Sequence, residues 1–276
     1  MLSPSRTGRF VADTLGGFAI ALMLAWSLAP ALWQALTAVK PDAQITRVPT
    51  VYLPHPVVWT HVAELWSRKP FGTYLANSFW VSAWATLMCV ACGAMAASAL
   101  TRMRRRSRTG LLLALLALSL FPLYEGIRAL GGINHPLALI VPYAALNLPL
   151  AVWVLESGLR AIPTELDEAA QLDGLGALRR LWHVQLPLAG PSLATAAMLV
   201  FIFCWNEFLL ALTFMTRDAN KTLTAGIASV SGVSFYEIPW GQLSAAIVIA
   251  TLPLVVLVLA FEGRIVSGLT RGAVNE

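Results

Sequence analysis

Several groups in this 276-residue chain carry residue types that do chemistry, yet they do not assemble a reaction centre. Cys89 and Cys92 have the spacing of a redox pair or half a zinc site, but no second pair follows and Cys204 stands alone. His55 and His61 share one polar stretch without further ligands. Lys221-Thr222 follows Asn220 and lacks the glycine frame of a P-loop, so the chain is not built to cradle ATP. No carboxylate pair or nucleophile triad stands out. Catalytic, metal and cofactor sites are therefore expected to be absent from this chain. One group lies inside an apolar run, Trp205-Asn206-Glu207-Phe208. A carboxylate in hydrocarbon is costly unless it meets protein or water, so Asn206 and Glu207 are expected to face the interior of a helix bundle. Three readings of Glu207 stand: a structural hydrogen bond between helices, a position close enough to the outer surface to be wet, or part of a substrate path with Trp205 and Asn206.

The most informative stretch is a polar island, Glu168-Ala169-Ala170-Gln171-Leu172-Asp173-Gly174, followed by Leu186-Pro187. It reads as two short helices meeting at a glycine. Pro163 and Thr164 open the first, with Thr164 expected as the N-cap and Asp167 as the acidic N3 partner of a capping box. Gly174 is expected at positive φ, where glycine ends a helix cheaply. Leu178, Leu181 and Trp182 recur at helical spacing while Arg179, Arg180 and His183 fall elsewhere, giving an amphipathic second helix that Pro187 terminates. Such an arrangement is a lever on which another protein can push.

The elements that hold this lever are apolar. Hydrophobic residues make up 58% of the chain, charged residues 12%, and mean hydropathy is +0.70, which exclude an ordinary soluble domain and point to an all-α polytopic membrane protein. The whole of 1–276 reads as a single transmembrane domain with six spans, at about 12–36, 74–100, 110–130, 137–158, 190–212 and 241–262, the polar loop occupying 159–189. The third is the shortest, with Glu125 and Arg128 near its end. Pro142 and Pro149 are expected to kink the fourth. The apolar run Leu15 to Leu36 exceeds a signal-peptide core, so the first span is expected to stay uncleaved.

Arginine sets the orientation. With the amino terminus inside, Arg6, Arg9, the cluster Arg102, Arg104, Arg105, Arg106 and Arg108, then Arg160, Arg179, Arg180, Arg264 and Arg271 all lie on the inner side. Both termini and the lever are then cytoplasmic. The net charge of +5 follows from this topology and does not indicate nucleic-acid binding. Two outer loops, about 37–73 and 213–240, carry aromatics such as Tyr52, Trp59, Phe235 and Tyr236, which suit an interfacial belt or contact with a partner or sugar.

Glu168 to Pro187 resembles the EAA loop of ABC importer permeases, in which E-A-A, D-G and a terminal L-P recur at this spacing. Lys40-Pro41, Asn77-Ser78, Trp205-Asn206-Glu207 and the ending Gly268-Leu269-Thr270-Arg271-Gly272-Ala273-Val274 are similar to the MalG-like permeases of carbohydrate importers. The resemblance implies a six-helix permease subunit in a bacterial or archaeal cytoplasmic membrane. Its implied partners are a second, MalF-like permease, a MalK-like ATPase dimer that carries ATP and Mg, and an extracytoplasmic sugar-binding protein. Glu168, Ala169, Ala170, Asp173, Gly174, Leu186 and Pro187 would couple to the ATPase, and Ser231, Gly232, Phe235 and Tyr236 would form the loop that reaches the binding protein. Leu181 departs from the aromatic residue common in the family, with Trp182 beside it, the stretch Phe121 to Pro142 is short, and Asn275-Glu276 differs from the usual ending. The alternatives are an ABC permease for a non-sugar solute and an ATPase-independent secondary transporter. Against the latter, the sequence has no internal repeat and no chain of intramembrane acids.

Overall fold

A computed structural model describes residues 6–101, 126–129, 131–230 and 238–273, with side chains from 14 to 261 within those ranges. Every regular element among the described residues is helical. The chain divides into two units, Met1–Lys69 with Val230–Thr251 and Pro70–Ser229 with Leu252–Glu276.

In the first unit, α1 (Arg6–Ala38) runs through Pro30 without interruption. Its apolar part, Thr14–Ala38, is long enough to cross a membrane, and its side chains from Leu15 to Leu32 stand exposed on the chain itself, as suits a helix facing lipid or another subunit. Beyond α1, the Lys40 carbonyl meets a ring nitrogen of buried His61 at 2.8 Å. His61 belongs to α2 (Thr60–Arg68). On the same helix Glu64 accepts from Arg68 and from Gln242.

The second unit is built on α3 (Phe71–Leu100), α4 (Leu137–Arg160) and a later helix, Gly190–Asn206. Small residues line their contacts: Ala85, Ala144 and Ala151 lie in one core with Cys89, Cys204 and Tyr143. Without a hydrophobic drive between helices in lipid, close approach of backbones supplies the packing, and small side chains permit it. Gly158 of α4 lies directly against Ser192, leaving no room for a Cβ. Asparagines fasten the loops at one end. Asn77 Nδ2 donates to the carbonyls of Ala219 and Lys221, and the Leu223 amide donates to Ser78 Oγ at 2.7 Å. Asn134, at φ 64°, accepts from the amides of Thr216 and Arg217 on Oδ1.

Four helices among the described residues are long and apolar enough to span a membrane, or five if Ala177–Leu188 and Gly190–Asn206, bent 88° at their junction, count as one. Observed helices over 6–38, 71–100 and 137–160 cover the expected first, second and fourth spans, and the fourth is continuous across Pro142 and Pro149. The expected third span, 110–130, falls largely outside the described residues. The sixth reaches further than expected, as a helix over Trp240–Ala273. The fifth is corrected: its helix stops at Asn206, Glu207 is extended, and a short helix restarts over Leu209–Phe214. Counting apolar residues hides this break, because a single carboxylate supplies it, as described below.

Candidate functional site

The polar island folds as two helices and an elbow. α5 (Thr164–Leu172) follows Pro163, whose ψ of 132° puts the chain into the helix one residue earlier than expected. Thr164 is thus the first helical residue and caps nothing, which corrects the expected capping box. Glu165 and Asp167 still occupy the first turn, where negative charge meets the positive end of the helix. Glu168 and Ala169 are exposed and Ala170 is buried.

The C-terminus of α5 closes as expected. Gly174 has φ 79°. The Gly174 amide donates to Gln171 O at 3.0 Å and the Leu175 amide to Ala170 O at 3.1 Å, the paired bonds of a Schellman turn around Asp173. No atom lies within 4 Å of a Cβ built on Gly174, so φ alone demands glycine there.

α6 (Ala177–Leu188) differs from the expected amphipathic helix. Its middle turn, Leu181–Gln185, is a π-helix in which the Leu186 amide donates to Leu181 O. Pro187 has no amide to donate, so the wider turn loses little at this point. Pro187 does not end the helix, which runs to Leu188 and turns by 88° at Ala189 into α7 (Gly190–Asn206). The widened turn also changes which side chains face inward. Leu181 is buried, but so are Arg180 at 5% exposure and Gln185. Leu178 and Trp182 are 59% and 58% exposed, and Leu172 beside the elbow is 89% exposed. The stripe Leu178, Leu181 and Trp182 therefore does not share one buried face.

The buried polar groups meet α5. Gln185 Nε2 donates to Asp167 Oδ1 at 2.9 Å, and Ser98 Oγ, at the end of α3, donates to Gln185 Oε1 at 2.8 Å. Arg180 Nε lies 3.6 Å from the same Asp167 oxygen. Ser98, Gln185, Asp167 and Arg180 form a relay from α3 through α6 to α5. Sequence reading missed Ser98, Gln185 and Arg180; the available signal was Gln185, an amide set in the apolar run just before Leu186-Pro187.

At the second candidate group, the carboxylate is consumed locally. Glu207 Oε1 accepts from the Leu210 amide at 3.0 Å, and Oε2 from Tyr143 Oη at 2.8 Å and the Ala211 amide at 3.2 Å. Thr224 Oγ1 donates to the Glu207 carbonyl at 2.7 Å. The side chain thereby caps α8 (Leu209–Phe214). Trp205 is buried and stacks on Phe201, 5.8 Å between centroids. Asn206 is exposed and donates to Ile202 O, so it does not face the chain's own core as expected. Ser231, Gly232, Phe235 and Tyr236 lie outside the described residues.

Residues 17–271 match the family described as binding-protein-dependent transport system inner membrane component, and the chain belongs to that family. It is the permease of a binding-protein-dependent ABC importer, a multi-pass inner membrane protein, and not the ATPase. It is 35% identical, over 99% of its length and 98% of the relative's, to the sulfoquinovosyl glycerol transport system permease protein SmoH of Agrobacterium fabrum. It is 42% identical to the trehalose/maltose transport system permease protein MalG of Thermococcus litoralis, over 74% of this chain and 76% of the relative. Its fold is that of a solved chain of a bacterial ABC transporter involved in the import of the acidic polysaccharide alginate, with a TM-score of 0.77 at 21% identity, covering 95% of this chain and 99% of the other.

Proposed function

We propose that this permease moves a sugar, delivered by an extracytoplasmic binding protein, into the cytoplasm, and that the elbow of 164–188 takes up the stroke of a partner ATPase. Two full-length relatives are named for sulfoquinovosyl glycerol and trehalose, at 35% and 36% identity, which supports a carbohydrate substrate. The partners are a second, MalF-like permease and a MalK-like ATPase dimer that carries ATP and Mg. The apolar runs support six spans, and the arginine distribution supports both termini and the loop 159–189 lying on the cytoplasmic side.

The observation that carries the reading is the elbow: a glycine at positive φ with Leu172, Leu178 and Trp182 turned outward around it while Arg180 and Gln185 are buried toward α5. Exposed apolar side chains beside a fixed turn suit a groove on another protein. Glu168, Ala169, Ala170, Asp173 and Gly174 form or flank the docked surface, and Leu186 and Pro187 lie where the loop returns toward α7. Force applied to α5 reaches α3 through Asp167, Gln185 and Ser98, so closure of the ATPase pair can bias a two-state bundle between outward and inward access. Trp205, Asn206 and Glu207 remain candidates for the substrate path, and Ser231, Gly232, Phe235 and Tyr236 for contact with the binding protein. The test is to purify the tagged chain with its partners and screen sugars for binding-protein-dependent stimulation of ATP hydrolysis. A stimulating sugar is the expected result. Stimulation by no sugar but by an amino acid, peptide or polyamine would overturn the substrate class.

A further inference from the structure

A lysine is buried without a counter-charge in the first unit. Lys40, 2% exposed, follows α1 directly, and its Nζ lies 4.5 Å from the centroid of the Trp33 ring. Among the described residues it makes no ion pair with a carboxylate. The nearby Asp42 is turned to His61 at 3.8 Å. A buried charge is normally paired, because its lost hydration is otherwise uncompensated. An aromatic face and the carbonyl end of α1 offset only part of that loss.

Lys40 lines a cavity of about 240 Å³ together with Trp33, Gln34, Thr37, Trp240 and Ser244. Among the described residues no carboxylate lines it. Beside Lys40, Thr37 Oγ1 is buried and has no hydrogen-bond partner among the described residues. The cavity therefore offers an ammonium, the three hydroxyls of Thr37, Thr46 and Ser244, and an amide, all able to donate to an anionic oxygen. Its depth is set by two span ends, since one apolar helix finishes at Ala38 and another begins at Trp240. Both ends carry a tryptophan, as side chains at the headgroup level do.

We infer that this cavity is a phosphate site at the membrane surface, whose occupant is the phosphate of a phospholipid headgroup, held by Lys40 with Thr37 and Ser244. The acyl chains of such a lipid would lie along α1, whose apolar side chains from Leu15 to Leu32 are exposed. A free phosphate ion has the same chemistry, and a carboxylate from a partner permease is the competing protein source.

The test uses the assembled importer, stripped of lipid in detergent and followed by native mass spectrometry. Dioleoylphosphatidylglycerol, dioleoylglycerol without phosphate, and inorganic phosphate are titrated separately. Wild type should retain one phosphatidylglycerol that Lys40→Gln does not, and Lys40→Arg should retain it. Thr37→Val, close in volume, should weaken this adduct about tenfold through one lost donor to a charged group, and it keeps the test open if Lys40→Gln fails to assemble. Inorganic phosphate binding with the same Lys40 and Thr37 dependence, in preference to the lipid, would support the phosphate site with a free ion as its source. Equal adducts in wild type, Lys40→Gln and Thr37→Val, or dioleoylglycerol binding as well as phosphatidylglycerol, would overturn the site. Unchanged lipid adducts with loss of the second permease from Lys40→Gln would also overturn it and assign the lysine to a partner carboxylate.

Discussion

The elbow at Gly174 and the break at Glu207 are both places where polar residues interrupt apolar helices, and they are finished in opposite ways. At Glu207 three donors converge on one carboxylate, all from the same unit, and the interruption is sealed. At the elbow Arg180 and Gln185 also turn inward, toward Asp167 and α3, but Leu172, Leu178 and Trp182 are left outside. A sealed break is a joint within the subunit. An elbow that ties an arginine and a glutamine inward and leaves two leucines and a tryptophan exposed is a joint suited to a second protein.

The largest effect should come from Gly174→Val. A β-branched residue at φ 79° costs on the order of 1 kcal/mol or more and redirects α5. Membrane insertion should survive, while sugar uptake and binding-protein-stimulated ATP hydrolysis should collapse. Normal uptake would remove the elbow from the coupling path. Glu168→Lys should act in the same direction but less strongly, because it reverses charge at an exposed position without bending the backbone. Retained co-elution of the ATPase together with wild-type stimulation would count against it.

The relay makes a sharper demand. Gln185→Glu sets a carboxylate against Asp167 and should lower stimulated ATP hydrolysis several-fold. Adding Asp167→Asn restores a donor at that contact and should recover much of the loss, a dependence that two independent structural defects would not produce. Additive losses in the double variant would break the link between α5 and α6.

The smallest effect is expected on the sealed side. Tyr143→Phe removes one donor from Glu207 and should destabilise the subunit by about 1 kcal/mol, read as a lowered Tm, with sugar preference unchanged. A changed sugar preference would favour the substrate-path reading of the Glu207 group and erase the contrast between the two joints.

Local rules made much of this legible in the sequence. Apolar length gave the membrane class and the first, second and fourth expected spans within a few residues, because hydrocarbon thickness fixes that signal. Gly174 was legible because a D-G step after a helical run needs one backbone conformation. What escaped were interactions across space. Arg180 was read as a surface cation because its partner Asp167 lies on another helix, and Gln185 carried no periodic signal at all. Thr164 was misread as a cap because Pro163 had already set the chain direction. The break at Glu207 depends on where its own carboxylate turns, which composition does not encode.

The central claim is that the face around the elbow docks the ATPase. A photoreactive benzoylphenylalanine in place of Leu172, 89% exposed beside Gly174, addresses it directly in the assembled importer. The account predicts a crosslink to the ATPase subunit from that position and none from the same probe in place of exposed Trp80, near the opposite end of α3 from Ser98. A probe at 172 that reaches only lipid or the binding protein, while the ATPase remains in the complex, would contradict it.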